Sequence, residues 1–137
     1  MIGLDTNVLV RYITGDDAEW SKAATDFIDG ECTAERTGYV NPVVLAEVVW
    51  VLRGRSDFTR ERVADLIAEF LESDSFTIGN EAAVLKALDQ YRKNKAGFAD
   101  CLIAELNAEA GAFPTYAIDK DAVKDGIFKQ LPRSGTP

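Results

Sequence analysis

The chain has 137 residues, of which 47% are hydrophobic and 28% charged, and its formal net charge is −8. This length supports one compact domain with its own core and is short for two. The sequence contains no histidine and only two cysteines, which excludes catalytic triads that use imidazole and nearly every zinc site. The acidic charge argues against a protein that holds nucleic acid mainly through Lys and Arg, but it permits a substrate bridged by a metal ion.

The N-terminal part of the chain predicts a strand followed by two helices. MIGLD at 1–5 is typical of a short buried strand, and TNVLVRYIT at 6–14 has the apolar spacing of a helix. This places Asp5 at the C-terminal end of the strand. Residues 17–30 predict a second, amphipathic helix that stops at Gly30, because glycine commonly ends helices.

The middle of the chain predicts a second strand and a pair of helices. TGYVN at 37–41 is the strand, and Asn41 followed by Pro42 is a typical helix start, since asparagine caps and proline suits the first helical position. The helix that begins there, VVLAEVVWVLR, is apolar nearly all round, whereas residues 59–73 predict an ordinary amphipathic helix. We expect these two helices to form a helical hairpin.

The rest of the chain alternates strands with helices. SFTI at 75–78 predicts a strand, Asn80 starts the next helix, and FADCLIAELNAEAG predicts a helix that ends at Gly111. TYAID at 115–119 predicts a further strand. Because parallel neighbours need crossover connections, the alternation predicts an α/β fold with a mainly parallel sheet between helices, in a single domain over 1–137.

Four acidic residues lie where a ligand site can form. Asp5 and Asp119 each follow or close a predicted strand, and open parallel sheets bind ligands beyond the C-terminal strand ends. Glu47 interrupts an apolar helix, where an unpaired buried carboxylate would be costly, and Asp100 lies in the first turn of its helix. Four carboxylates that converge on one crevice would repel each other and require a cation, and such clusters suit Mg²⁺ or Mn²⁺.

Each of these acids also has a structural explanation when it is considered alone. Asp5 and Asp119 can cap the helices that follow them. Asp100 can stabilise its helix through the helix dipole, which favours an anion in the first turn. Glu47 can point to solvent from an exposed helix face, and the sequence leaves both explanations of this residue open.

Four segments together resemble the PIN domain of VapC-type toxins: DTNVLVR at the start, NPVVLAEVVWVL, GFADCLIA and YAIDKDA. Their order, spacing and context carry the resemblance, which spans nearly the whole chain. It implies a three-layer α/β/α sandwich and a Mg²⁺- or Mn²⁺-dependent endoribonuclease, the toxin of a type II toxin–antitoxin system.

The resemblance also implies roles for individual residues. The acidic site positions correspond to Asp5, Glu47, Asp100 and Asp119. Asp5 and Asp100 are the expected metal ligands. Two further residues, Thr6 and Asn7, match those that support the first acid.

Two departures from the family pattern affect the site. Gly97 stands where the family often has another Asp three residues before Asp100, and Ala117 replaces the usual Thr two residues before Asp119. A second metal position therefore lacks an expected ligand. The departures leave open an alternative from another class, a non-catalytic PIN-like binding module with a degenerate acidic site.

The resemblance implies partners as well. VapC-type toxins are neutralised by a small VapB-type antitoxin and usually pair as homodimers, so we expect an antitoxin, a homodimer and an RNA substrate. Arg11 and Arg92 are the candidate phosphate contacts, since a cationic rim must offset the acids. No basic leader precedes the first strand, and no apolar run approaches the roughly 20 residues of a membrane span. We therefore expect a cytoplasmic protein with no membrane contact.

Overall fold

A computed structural model describes residues 1–134 of the chain. The chain forms two compact units, of which the first is Met1–Glu81 and the second starts at Ala82. Every strand pair within residues 1–134 is parallel, as the alternation of strands and helices predicts. The expectation of a single domain stays a prediction.

The first unit contains a three-stranded sheet in the order β1, β2, β3. Its strands are β1 (Ile2–Gly3), β2 (Gly38–Val40) and β3 (Phe76–Ile78). Gly38 begins the central strand, where a Cβ atom would lie 2.6 Å from Leu4 Cδ1 and 3.0 Å from Cys32 Sγ. The close packing of these two buried side chains therefore requires glycine at this position.

Four helices complete the first unit: α1 (Thr6–Thr14), α2 (Ala18–Glu31), α3 (Pro42–Arg53) and α4 (Arg60–Glu72). The predicted start of α3 is confirmed, because the Asn41 side chain accepts a hydrogen bond of 2.8 Å from the Val43 backbone N–H. The predicted stop at Gly30 is wrong. Helix α2 continues to Glu31 and ends where Cys32, a buried residue, adopts extended backbone.

The core of the first unit lies under these helices. Helix α1 packs against α2 and α3. Helix α4 packs against β3 and against α3, as expected of the helical hairpin of α3 and α4. The largest fully buried side chains of this unit are Leu9, Val40, Leu52, Phe58 and Val63. Helix α2 buries Ala24 and Ile28, whereas Trp20 and Phe27 remain exposed.

The second unit contains the remaining helices and a two-stranded parallel sheet. Its elements are α5, which begins at the boundary (Glu81–Lys93), α6 (Phe98–Glu109), β4 (Tyr116–Ala117), α7 (Lys120–Lys124) and β5 (Lys129–Gln130). The rings of Tyr91 and Phe98 meet edge to face at 5.7 Å and are both buried, which joins α5 to the start of α6. None of the helices in residues 1–134 combines the length and apolar character that a membrane crossing requires.

Candidate active site

The first candidate acid, Asp5, stands at the N-cap position of α1. Its backbone is extended, and its carbonyl oxygen accepts a hydrogen bond of 3.3 Å from the Leu9 N–H. The side chain, however, makes no capping hydrogen bond and is exposed. Capping therefore does not explain the Asp5 carboxylate, which is free to bind a ligand.

Glu47 is held beside the start of α1 by a hydroxyl group. Thr6, the first residue of α1, is buried, and its Oγ1 donates a hydrogen bond of 3.2 Å to Glu47 Oε1. Glu47 itself lies on the exposed face of α3, as in the solvent-facing alternative. The hydrogen bond from Thr6, which directly follows Asp5 in the chain, nevertheless places this carboxylate beside the start of α1.

Asp100 lies in the first turn of α6 and is half-buried. The pKa of its carboxyl group is raised, first because burial disfavours the charged form and second because Asp119 is negatively charged. An acid that served only to stabilise the start of a helix would have a lowered pKa. Burial and the charge of Asp119 therefore oppose the stabilisation that the helix dipole gives to the Asp100 carboxylate.

Asp119 has both a structural role and an electrostatic one. It is the N-cap of α7, and its Oδ1 accepts a hydrogen bond of 2.9 Å from the Asp121 backbone N–H. Its charge also acts on Asp100. A carboxylate has a second oxygen, so the cap leaves Oδ2 for another partner.

The two units thus contain two acids each, and all four are oxygen donors of the kind that Mg²⁺ and Mn²⁺ prefer. Within residues 1–134, neither unit by itself contains a group of three or more Asp, Glu, Cys or His side chains that could bind a metal ion. In the second unit the charges of Asp100 and Asp119 interact. The expectation that all four acids share one site stays a prediction.

The predicted supporting residue Asn7 and the predicted phosphate contact Arg11 line a cavity of about 680 Å³ in the first unit. The remaining lining is mostly apolar: Ile2, Gly3, Leu4, Val8, Trp20, Ala23, Ala24 and Phe27. Arg11 also forms an ion pair of 3.1 Å with Asp16. Arg92 lies in the last turn of α5 and is exposed. Their roles in substrate binding stay predictions.

Two features of the structure are not predicted by the sequence. Asp16 is bound by Thr14, Arg55 and Arg11, and these contacts lower its pKa to about 2. Trp50 is 81% exposed on α3. Helix α3 is apolar on nearly every side, so the sequence carries no signal for which of its faces is exposed.

Comparison with known proteins identifies the family. The sequence profile of the PIN domain matches residues 2–115. The chain belongs to the PIN domain family. It is similar to a VapC ribonuclease of Aquifex aeolicus (strain VF5), with 24% identity over 99 residues that cover 72% of this chain and 73% of the relative. No solved structure matches the chain.

These comparisons confirm two expectations, the resemblance to VapC-type PIN domains and the α/β sandwich with a parallel sheet. The matched residues include three of the four candidate acids, Asp5, Glu47 and Asp100. Asp119 lies beyond the match, and it is also the acid whose side chain caps a helix.

Proposed function

We propose that this PIN domain is a divalent-metal-dependent endoribonuclease that hydrolyses RNA phosphodiester bonds. The observation that carries the proposal is the match of residues 2–115 to the PIN domain, which includes Asp5, Glu47 and Asp100, and the raised pKa of Asp100 supports it. Burial and the charge of Asp119 both disfavour its ionised form, and a cation bound at this pair of acids would favour it. Acids perturbed in this way are characteristic of functional sites.

The proposed ligands of one Mg²⁺ or Mn²⁺ are Asp5 and Asp100. Glu47 contributes directly or through water, and Asp119 completes the set through the oxygen that its cap leaves free. When bound, the cation supplies positive charge that lowers the pKa of a water molecule and offsets charge on the phosphate. Thr6 donates a hydrogen bond to the Glu47 carboxylate and helps to orient it. Because this chemistry needs no imidazole base, it is compatible with a chain that lacks histidine.

The family match supports the choice of these acids as ligands. Three of the four lie within the residues that match the PIN domain, at the acidic positions of the resemblance. The similar protein of Aquifex aeolicus is named a VapC ribonuclease, which supports RNA as the substrate here.

From the resemblance to VapC-type toxins we also propose that the protein is the toxin of a toxin–antitoxin pair, a cytoplasmic homodimer with a VapB-type antitoxin. The net charge of −8 would suit a basic antitoxin segment. Co-expression with a neighbouring reading frame, followed by size measurement, tests the partner. Recovery of only free monomer would count against both the antitoxin and the homodimer.

The decisive experiment is RNA cleavage by wild type, Asp5→Asn and Asp100→Asn, each with Mg²⁺, with Mn²⁺ and with EDTA. We expect metal-dependent cleavage by wild type and a loss of more than about 100-fold in both variants, since even indirect metal contacts contribute 10- to 100-fold. Asp26→Asn is the matched control, because Asp26 forms only a surface ion pair with Lys22. Undiminished activity in both site variants would exclude the proposed site.

A negative result also has a defined meaning. If purified wild-type protein cleaves no RNA in the presence of either metal, the non-catalytic binding module is favoured.

Metal titration tests whether the acids of the two units act on the same cation. We expect Asp5→Asn and Asp100→Asn each to weaken Mn²⁺ binding, and the double variant to lose little beyond the larger single loss, because residues of one site are not additive. Losses that add in the double variant would indicate two separate sites.

A further inference from the structure

The second unit contains a polar cavity of about 500 Å³ that the proposed metal site does not include. Its lining consists of Lys93, Asn94, Lys95, Asp121, Lys124 and Asp125. Three of these side chains are cationic, two are anionic and none is apolar. An apolar ligand or an apolar protein surface would withdraw water from these charges, which is costly, so the cavity suits a charged ligand.

Two segments form the walls of this cavity, and hydrogen bonds hold them together. One wall is the end of α5 with the loop that follows it, and the other is α7 with its C-cap, Asp125. The Lys95 backbone N–H donates a hydrogen bond of 2.9 Å to Asp125 Oδ2. The Asp125 N–H in turn donates one of 3.2 Å to the Asp121 carbonyl oxygen. The loop is therefore fixed against the end of α7.

The same two segments lead to the proposed metal ligands of this unit. The loop that contains Lys95 runs directly into α6, which has Asp100 in its first turn. Asp119 is the N-cap of α7 and accepts a hydrogen bond from the N–H of Asp121, whose side chain lines the cavity. Helix α7 has five residues and is therefore about 7.5 Å long. The cavity thus lies within the length of one short helix from Asp119.

The charges of the lining favour an anion as the ligand. Lys124 is exposed in the last turn of α7 and forms no ion pair with any residue of 1–134. Lys93 forms an exposed ion pair of 2.8 Å with Asp89, and pairs of this kind contribute little to stability, so an anion can compete for this lysine. One oxygen of Asp125 already accepts the bond from Lys95. A divalent cation would need more carboxylates than these and would be repelled by the ammonium groups.

We propose that Lys124, with Lys93 and Lys95, binds a phosphate group of the RNA strand next to the phosphodiester that the acids act on. The inference rests on the proposed ribonuclease function. The carboxylates repel RNA, and a chain with a net charge of −8 has little general attraction for it, so a local group of cations is needed to hold the strand. Contacts of this kind position the backbone and carry no information about the bases.

Charge also separates RNA from the other proposed partner. The antitoxin segment proposed above is basic, so the three lysines would repel it. An acidic protein segment would be attracted by the same lysines, and the experiment below includes one as a competitor.

The test is binding of fluorescently labelled single-stranded RNA to wild type, Lys124→Gln and Lys124→Arg, measured by anisotropy over a range of salt concentrations. Ca²⁺ replaces Mg²⁺ to slow cleavage. One phosphate contact contributes about 0.7 to the slope of log affinity against log salt on a single strand. We therefore expect Lys124→Gln to reduce the slope by about 0.7, which weakens binding about fivefold at about 0.1 M salt and hardly at about 1 M. Lys124→Arg should keep most of the affinity.

The matched control is Lys86→Gln, which removes the same charge from an exposed position on α5 outside the cavity. It should bind RNA as wild type does. The loss in Lys124→Gln should be the same for oligo-U and oligo-A, because a phosphate contact does not distinguish bases. In cleavage assays with Mg²⁺, Lys124→Gln should raise KM about fivefold at about 0.1 M salt and change kcat less.

Several results would overturn the inference. They are a wild-type salt slope in Lys124→Gln, an equal loss in Lys86→Gln, a loss that differs between oligo-U and oligo-A, or no binding of RNA by wild type. Displacement of RNA by oligo-glutamate through Lys124, at concentrations comparable to those of RNA, would assign the cavity to an acidic protein segment. A changed oligomeric state in Lys124→Gln would assign the lysine to a subunit contact and also overturn it.

The proposed function can fail separately. If wild type cleaves no RNA with Mg²⁺ or Mn²⁺, but Lys124→Gln still lowers RNA affinity and the salt slope, the catalytic proposal fails while the phosphate contact is supported.

Discussion

Two aspartates in different units respond to their surroundings in opposite ways. Asp16, in the turn between α1 and α2, has a pKa lowered to about 2, whereas the pKa of Asp100, at the start of α6, is raised. Asp16 accepts hydrogen bonds of 2.7 to 3.1 Å from three side chains, those of Thr14, Arg11 and Arg55. Asp100 is instead half-buried near a like charge.

This difference predicts that Asp16 has a structural role and Asp100 a functional one. The partners of Asp16 belong to the chain, so its charge is already stabilised when the protein has folded. The charge of Asp100 is opposed by its surroundings, so its stabilising partner is expected from outside the chain.

The largest expected effect is metal-dependent stabilisation that requires Asp100 and does not require Asp16. A cation that binds only the folded protein stabilises it by about 2.7 kcal/mol when its concentration is 100 times Kd. Thermal denaturation with and without Mn²⁺ should therefore show a higher Tm for wild type and Asp16→Asn, but not for Asp100→Asn. If neither Mn²⁺ nor Mg²⁺ changes the Tm of wild type, the proposed difference in role between Asp16 and Asp100 is wrong.

The second prediction adds a carboxylate to the second unit. A Cβ atom at Gly97 would meet no atom within 4 Å, and the backbone has an ordinary negative φ, so a residue with a Cβ atom is tolerated there. Gly97→Asp should raise Mn²⁺ affinity about tenfold, which corresponds to about 1.4 kcal/mol for one added ligand. Gly97→Asn is the control, because it can cap α6 without adding charge. Equal affinities in the two variants would show that position 97 does not reach the metal.

The third prediction compares the two acids at helix N-caps. Asp119→Ala should lower the free energy of unfolding by about 1 kcal/mol, because it removes the hydrogen bond to the Asp121 N–H. Asp5→Ala should cause almost no loss, since its side chain makes no capping bond. Urea denaturation in EDTA measures both, with Asp119→Asn as the variant that retains a cap. Equal losses in the two alanine variants would contradict these separate roles.

The sequence predicts most of the fold because its patterns are local. Helix periodicity and the Asn41–Pro42 start are properties of neighbouring residues, and the structure places α1 and α3 accordingly. β5 is not predicted because its two residues, Lys129 and Gln130, are exposed and polar, and only their pairing with β4 makes them a strand. The exposed face of α3 is likewise set by packing that a uniformly apolar sequence does not encode.

The acidic residues can be selected from the sequence, but their separate roles cannot. Asp5 and Asp119 both precede helices, yet only the side chain of Asp119 forms a cap, a matter of side-chain orientation. The contact of Thr6 with Glu47 joins residues 41 positions apart, so no local pattern reveals it. The raised pKa of Asp100 depends on burial and on Asp119, which are also consequences of the fold.

The smallest expected effect concerns how stability depends on pH in the absence of metal. Asp16 and Asp100 should change it in opposite directions. The lowered pKa of Asp16 stabilises the fold above pH 3.8, and this contribution is lost as pH falls through about 2. The raised pKa of Asp100 means that the folded protein binds this proton more tightly than the unfolded chain, so stability declines as pH rises above 3.8 through the raised pKa. Asp16→Asn should remove the first dependence and Asp100→Asn the second.

Urea denaturation in EDTA between about pH 3 and pH 6, where aspartates titrate, measures both dependences. Relative to wild type, Asp100→Asn should gain stability as pH rises, by less than about 1 kcal/mol because its charge is partly solvated. Asp16→Asn should lose stability relative to wild type over the same rise, and salt at about 1 M, where the screening length is about 3 Å, should reduce that loss. Because the two difference curves slope in opposite directions, a common slope would show that Asp16 and Asp100 occupy equivalent environments.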